Sequence, residues 1–214
     1  MQDLAVSCGR GTCSLASAIK LGSNMRVIFL AVTATVAVAP AAHAQVDSIR
    51  LGVMQHNICV IDCKNADKEK GPNIAGEVRF ASPDFLAWAF APHPYLMASV
   101  NTQGNTSYAG GGLEWDFEVA PGWRVEPGFG YIVHDGEIDN PFANGTPQSA
   151  DFAEQHVLLG SRDLFRTSLA LTWDISDTFG VQAIYEHASH GQILGKGRNQ
   201  GLDEIGVRAV WRFK

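Results

Sequence analysis

Outside its first 44 positions the chain has no run of about 18 apolar residues, so no stretch of it reads as a membrane-crossing helix. It has no basic block either. Its 16 Lys and Arg stand against 22 Asp and Glu, a formal net charge of -6, which argues against nucleic acid as the main partner. Cysteine is scarce. Of the 4 present, Cys8 and Cys13 lie near the start, and only Cys59 and Cys63 follow, in C-x3-C spacing. Two isolated cysteines are too few for a metal site; in an oxidising compartment they either close a small loop or stay as loop thiols. From Gln45 onward no segment of useful length has helical periodicity.

Glycine, by contrast, is abundant, with 22 residues, and much of it sits inside alternating segments. That suits a β protein whose strands approach closely. The length of 214 residues fits one domain after an N-terminal leader. Met25-Arg26 opens VIFLAVTATVAVAPAAHA, a basic n-region, an apolar h-region and an Ala-His-Ala end at Ala42 to Ala44. This reads as a secretory signal peptide over 25–44, cleaved before Gln45. Residues 1–24 then form an upstream extension outside the natural mature protein, with Met25 the true first residue, and 45–214 form the folded domain.

Alternation recurs along that domain. Ile49, Leu51 and Val53 alternate with Arg50 and Gly52; Ile74, Gly76, Val78 and Phe80 alternate with Glu77 and Arg79. A turn region with room for one helical turn spans Ser82 to His93, and a less clear strand runs from about Tyr95 to Thr102. In the fourth strand Leu113, Trp115, Phe117 and Val119 oppose Glu114, Asp116 and Glu118. The fifth sets Val125, Phe129, Tyr131 and Val133 against Arg124, Glu126 and His134. The sixth sets Phe165, Leu169, Leu171, Trp173 and Ile175 against Arg166, Ser168, Thr172 and Asp174. Strands seven and eight occupy Val181 to Ser189 and about Asp203 to Phe213.

Eight strands, long loops after strands one, five and seven, and apolar faces rimmed by Trp and Tyr predict an all-β protein. Its architecture is an eight-stranded antiparallel transmembrane β-barrel of outer-membrane type. Strands can cross hydrocarbon only when closed on themselves. Inward Arg and Glu would fill the narrow lumen as ion pairs, leaving no channel. A secreted soluble barrel of lipocalin type needs the opposite sense of alternation, apolar side inward. An even strand number puts both barrel ends in the periplasm and the long loops outside.

The chemistry concentrates at the top of the last two strands. Val181, Ala183 and Tyr185 share a face with His187 and Ser189, and Asp203 lies on the apolar face of its own strand with Ile205, Val207 and Ala209. A nucleophile, a base and a carboxylate thus converge on a greasy face, which is the logic of a triad. Glu204 competes for the acid role, but it shares a face with Gly206, Arg208 and Arg212 and therefore turns to the lumen. Two histidines at 187 and 190 face opposite sides of a strand, which leaves no metal site.

His187-Ala188-Ser189, then Asn199, then Gly201-Leu202-Asp203 and a strand ending in an aromatic residue resemble the PagL-type lipid A 3-O-deacylases. The resemblance in motif covers about 30 residues. It implies a cofactor-free carboxylic ester hydrolase that acts on lipid A of lipopolysaccharide, in the outer membrane of a Gram-negative bacterium, with its site facing the outer leaflet. His187 would be general base, Ser189 nucleophile and Asp203 the orienting acid, where family members often use Glu. The family usually has Asn after the Ser and assigns it to the oxyanion hole. Here His190 stands there, so its imidazole N–H with the Gly191 amide would serve, and Asn199 would support them. Lipopolysaccharide and the membrane are the expected partners, and a homodimer is compatible. The alternative is a non-catalytic small outer-membrane barrel acting in adhesion, resistance or membrane integrity.

Overall fold

The structure, a computed structural model, describes residues 4–9, 12–17, 45–61, 63 and 68–213. Residues of the first unit, Met1–Ala42, contribute a hairpin in which Leu4–Gly9 pairs antiparallel with Thr12–Ser17. This hairpin falls where the sequence shows no clear alternation. The expected signal peptide, 25–44, lies outside the described residues.

The second unit is built from eight strands: β1 (Val46–Gln55), β2 (Pro72–Phe80), β3 (His93–Asn101), β4 (Tyr108–Glu114 and Phe117–Ala120), β5 (Trp123–His134), β6 (Asp163–Asp174), β7 (Phe179–Ser189) and β8 (Leu202–Arg212). Each pairs antiparallel with its sequence neighbour, and β8 pairs with β1, so the sheet closes. Closure leaves no strand edge, the condition for spanning hydrocarbon.

The two faces follow the alternation of the sequence. Leu51, Leu96, Leu169 and Val207 are among the large apolar side chains exposed on the outside. Aromatic residues flank this band. Trp123 stacks on Trp173 and Phe179 packs on Trp211 near the short turns, and Phe129 stacks on Phe165 toward the long loops. Inside, Arg50, Glu77, Glu126, Arg166 and Arg208 are buried. Arg50 reaches Glu77 at 2.9 Å and Glu126 at 3.1 Å and also pairs with Glu114; Arg208 reaches Glu77 at 2.9 Å. A soluble barrel with an apolar interior has the reverse arrangement. Space inside is tight: a Cβ on Gly130 would lie 2.2 Å from the Tyr95 hydroxyl, which donates no room to any larger residue.

The structure departs from the sequence reading in two places. β4 breaks at Trp115 and Asp116, opposite Pro127 of β5. Proline has no N–H to give the ladder; Trp115 N–H still donates to Pro127 O, and Asp116 turns inward to Arg79 and Arg124. The carboxylate row therefore splits, with Glu114 buried and Glu118 exposed. The loop after β5 holds a short helix, α1 (Pro147–Gln155), where the sequence reads as a polar loop. Its start is local chemistry: Thr146 Oγ1 accepts from Ser149 N–H at 3.2 Å and proline occupies the first turn. The turn region after β2 contains a 3-10 helix, Asp84–Ala89.

Candidate active site

The site begins with strand register. β7 and β8 pair so that Tyr185 faces Ile205 and His187 faces Asp203 directly. Side chains opposed in this way stand about 4.5–5.5 Å apart at Cβ, close enough for an imidazole to meet a carboxylate. His187 Nδ1 lies 2.6 Å from Asp203 Oδ1. An ionised carboxylate can only accept, so His187 Nδ1 is the donor of this bond and Nε2 points away from the acid. The His187 side chain is 17% exposed, whereas Asp203 is 1% exposed.

A carboxylate this buried needs donors, and it has them. Tyr185 donates its hydroxyl to Asp203 Oδ1 at 2.9 Å. The other oxygen, Oδ2, accepts the Ile61 amide at 2.6 Å and the Val60 amide at 3.3 Å. Ile58 N–H adds a bond to the Asp203 carbonyl at 2.9 Å. The loop after β1 therefore folds down over the outward-facing end of β8. Cys59 and Cys63 in this loop are joined by a disulfide, which resolves the pairing that the sequence leaves open. The His187 ring also rests on Gly201, where a Cβ would come within 2.6 Å of Cε1.

Ser189 lies two residues beyond His187 on the same face of β7, paired with Phe165 of β6 and half-buried. Two strand steps are about 6.6 Å, and among the described residues no hydrogen bond joins the Ser189 hydroxyl to His187. The structure thus brings His187 and Asp203 into contact and sets Ser189 one strand repeat away.

The loop that follows differs from expectation. His190 is buried, and both of its ring nitrogens are engaged: Nε2 donates to Arg198 O at 2.8 Å and Nδ1 accepts from Gln192 N–H at 3.1 Å. Its ring N–H is therefore spent within the loop and is not offered to a substrate as an oxyanion donor. Asn199 Oδ1 accepts the His190 amide at 3.2 Å. Gly191 has φ 59°, in the left-handed region, and sits beside Phe165.

Glu204 turns to the lumen. It accepts from Asn73 Nδ2 at 2.9 Å and from the Tyr108 hydroxyl at 2.9 Å, and it meets His56 Nδ1 at 2.5 Å. His56 Nε2 lies 3.2 Å from Glu69. Burial opposes a charge on His56, but the hydrogen bonds to Glu204 and Glu69 outweigh it and raise its pKa to about 9. Glu69 is also buried, and its bonds to His56 and Thr106 hold its carboxyl below the ordinary value.

Below His187, on the same outer face, a shallow apolar hollow of about 370 Å³ is lined by Val125, Leu169, Leu171, Ala183, Tyr185 and Ile205. Tyr185 belongs to both the hollow and the Asp203 cluster. Tyr185 could have been found in the sequence, two positions before His187 on its face. The two loop amides leave no sequence signal, because any residue but proline carries one.

A family model described as lipid A 3-O-deacylase (PagL) matches residues 84–212, more than half of the chain. The solved structure of the outer membrane enzyme PagL is similar over 78% of this chain and 99% of its own, with a TM-score of 0.50 and 10% identity. Neisserial surface protein A is similar over 78% of this chain and 96% of its own, with a TM-score of 0.50 and 9% identity. No curated protein matches in sequence. At these identities the two structures speak for the barrel fold; the match to the family model carries the relationship.

Proposed function

Since this chain belongs to the PagL family of lipid A 3-O-deacylases, we propose that it is an outer-membrane serine esterase that removes the 3-O-linked hydroxyacyl chain from lipid A. In the reaction Ser189 Oγ attacks the ester carbonyl while His187 Nε2 takes the hydroxyl proton. The tetrahedral intermediate collapses as His187 returns that proton to the departing sugar oxygen, leaving an acyl-serine. Water, deprotonated by His187, then releases the fatty acid and restores the serine. Asp203 holds the Nδ1–H tautomer and stabilises the imidazolium formed in each half-reaction.

The observation that carries this reading is the 2.6 Å contact between His187 and Asp203 on the outer, apolar wall. A carboxylate with its histidine partner is costly on a hydrocarbon-facing wall, and its use is plain if the bond to be cut lies in the membrane. The long loops would face the exterior, placing the pair at the level of outer-leaflet head groups, with residues 25–44 serving as the export signal. The hollow beside Tyr185 would take the acyl chain. With the His190 ring engaged in its loop, we assign the oxyanion to the Gly191 amide.

A non-catalytic barrel is the second reading, favoured by the missing hydrogen bond between Ser189 and His187. Lipid A mass spectra from cells expressing the native protein or Ser189→Ala separate the two. Loss of one 3-hydroxyacyl group with the native protein, and its retention with Ser189→Ala, is the expected result. Identical spectra would sink the esterase.

A further inference from the structure

The two amides on Asp203 Oδ2 belong to Val60 and Ile61, and both residues lie inside the small ring closed by the Cys59–Cys63 disulfide. A loop that holds a carboxylate with backbone N–H groups must hold both at once, in one geometry. An open chain would lose that geometry to its own conformational entropy. The ring removes most of this freedom before the carboxylate arrives, which is preorganisation of a site by its supporting shell.

From this arrangement we infer that the Cys59–Cys63 ring is a positioning element for the reaction, acting on His187 through Asp203. This rests on the esterase reading above. Asp203 has two oxygens and two tasks. Oδ1 receives His187 Nδ1 and the Tyr185 hydroxyl, while Oδ2 is gripped by the ring. With Oδ2 gripped, the carboxylate cannot rotate, and Oδ1 stays aimed at His187. Asp is shorter than Glu by one methylene, so a fixed carboxylate matters more here than it would for a longer acid. The grip also accounts for the burial of Asp203 on a face that otherwise meets lipid, since the loop covers it.

The disulfide is accessible: Cys59 and Cys63 are both exposed at the loop end. Dithiothreitol would open the S–S bond to two thiols and become its own cyclic disulfide, with two electrons and two protons transferred. Steady-state deacylation of lipopolysaccharide in detergent, by the purified full-length barrel, reads the consequence. Reduction is expected to lower kcat by roughly tenfold to a hundredfold, the scale of a small misplacement at a reacting group, and to leave KM within about twofold. Reoxidation restores the rate. Ile61→Pro, which deletes one amide, lowers kcat further than Ile61→Ala, which keeps it. In Asp203→Asn, already slow, reduction adds little.

A second readout needs no turnover. The His187 Nδ1 proton, observed by NMR in the oxidised barrel, should shift or broaden on reduction. An unchanged kcat in an active enzyme overturns the inference. If the native protein releases no fatty acid, or Ser189→Ala is as active as native, the esterase reading fails instead. The resonance then decides alone, and one that ignores reduction overturns the ring's hold on the pair.

Discussion

The imidazole of His187 packs against Gly201, so close that a Cβ there would approach Cε1 to 2.6 Å. The two strands thus meet at the residue proposed as the base. His187 comes from β7, and Gly201 immediately precedes β8 and the acid Asp203.

Gly201→Ala tests that contact. The added methyl must push the ring aside, because the atom it meets is Cε1 of the His187 side chain and the Gly201 backbone is buried. We expect a barrel that folds normally by heat-modified gel mobility but a kcat lower by roughly a hundredfold, with little change in KM.

Tyr185→Phe and Asp203→Asn grade the support of the base. Loss of the Tyr185 hydroxyl removes one donor from Asp203 Oδ1, worth about 1 kcal/mol, or roughly fivefold in kcat. Asp203→Asn substitutes a group that can present an N–H to Nδ1 and so favours the wrong tautomer; a loss of roughly 10⁴-fold follows by analogy with serine proteases. Equal effects from the two variants would contradict the assigned roles.

At the loop end, stability should depend on pH through His56 and Glu69. The folded pKa of His56 is about 9, above its ordinary 6.5. Its contribution is therefore fully present below about pH 6.5 and is lost as pH rises through 9. Glu69 works in the other sense: its pKa is lowered from 4.5, so its contribution is present above that value and lost as pH falls. Guanidinium midpoints of the detergent-folded barrel should decline from pH 6.5 to 9.5, and His56→Gln should flatten that decline.

Arg50→Met probes the interior. It leaves Glu77, Glu114 and Glu126 short of a cation in a site with no exposed side-chain surface. Removing one partner from such a network costs about 3–5 kcal/mol. The expected outcome is a barrel that refolds poorly in detergent, with a lowered unfolding midpoint. Replacement that leaves the midpoint unchanged would mean the ion pairs contribute nothing net.

The parts of this molecule legible in its sequence are those set by a period of two. Alternation puts Ile205, Val207 and Trp211 outside and Arg208 inside, and the same parity separates Asp203 from Glu204. Pairing register then brings His187 to Asp203. What escaped depends on contacts distant in sequence or on single-residue chemistry within a strand. Pro127 interrupts the neighbouring strand, not its own; its effect on Trp115 and Asp116 needs the pairing to be known. α1 carried a signal, Thr146 followed by Pro147, but only nine residues of it, too few for a convincing period. His190 looked like a candidate donor because only its position in the motif was visible, and the loop carbonyl of Arg198 that claims its proton was not.

The interior of the barrel is packed with paired charges, from Arg50 and Glu77 to Arg166 and Glu186. Eight strands filled in this way leave no room for a channel, so reconstituted protein would carry no ionic current across a planar bilayer. On the esterase reading, a substrate would reach His187 sideways, along the hydrocarbon, and not down a pore. If Ser189 is the nucleophile, inhibitors would be ranked first by how well they dissolve in lipid and only then by how well they react with a serine.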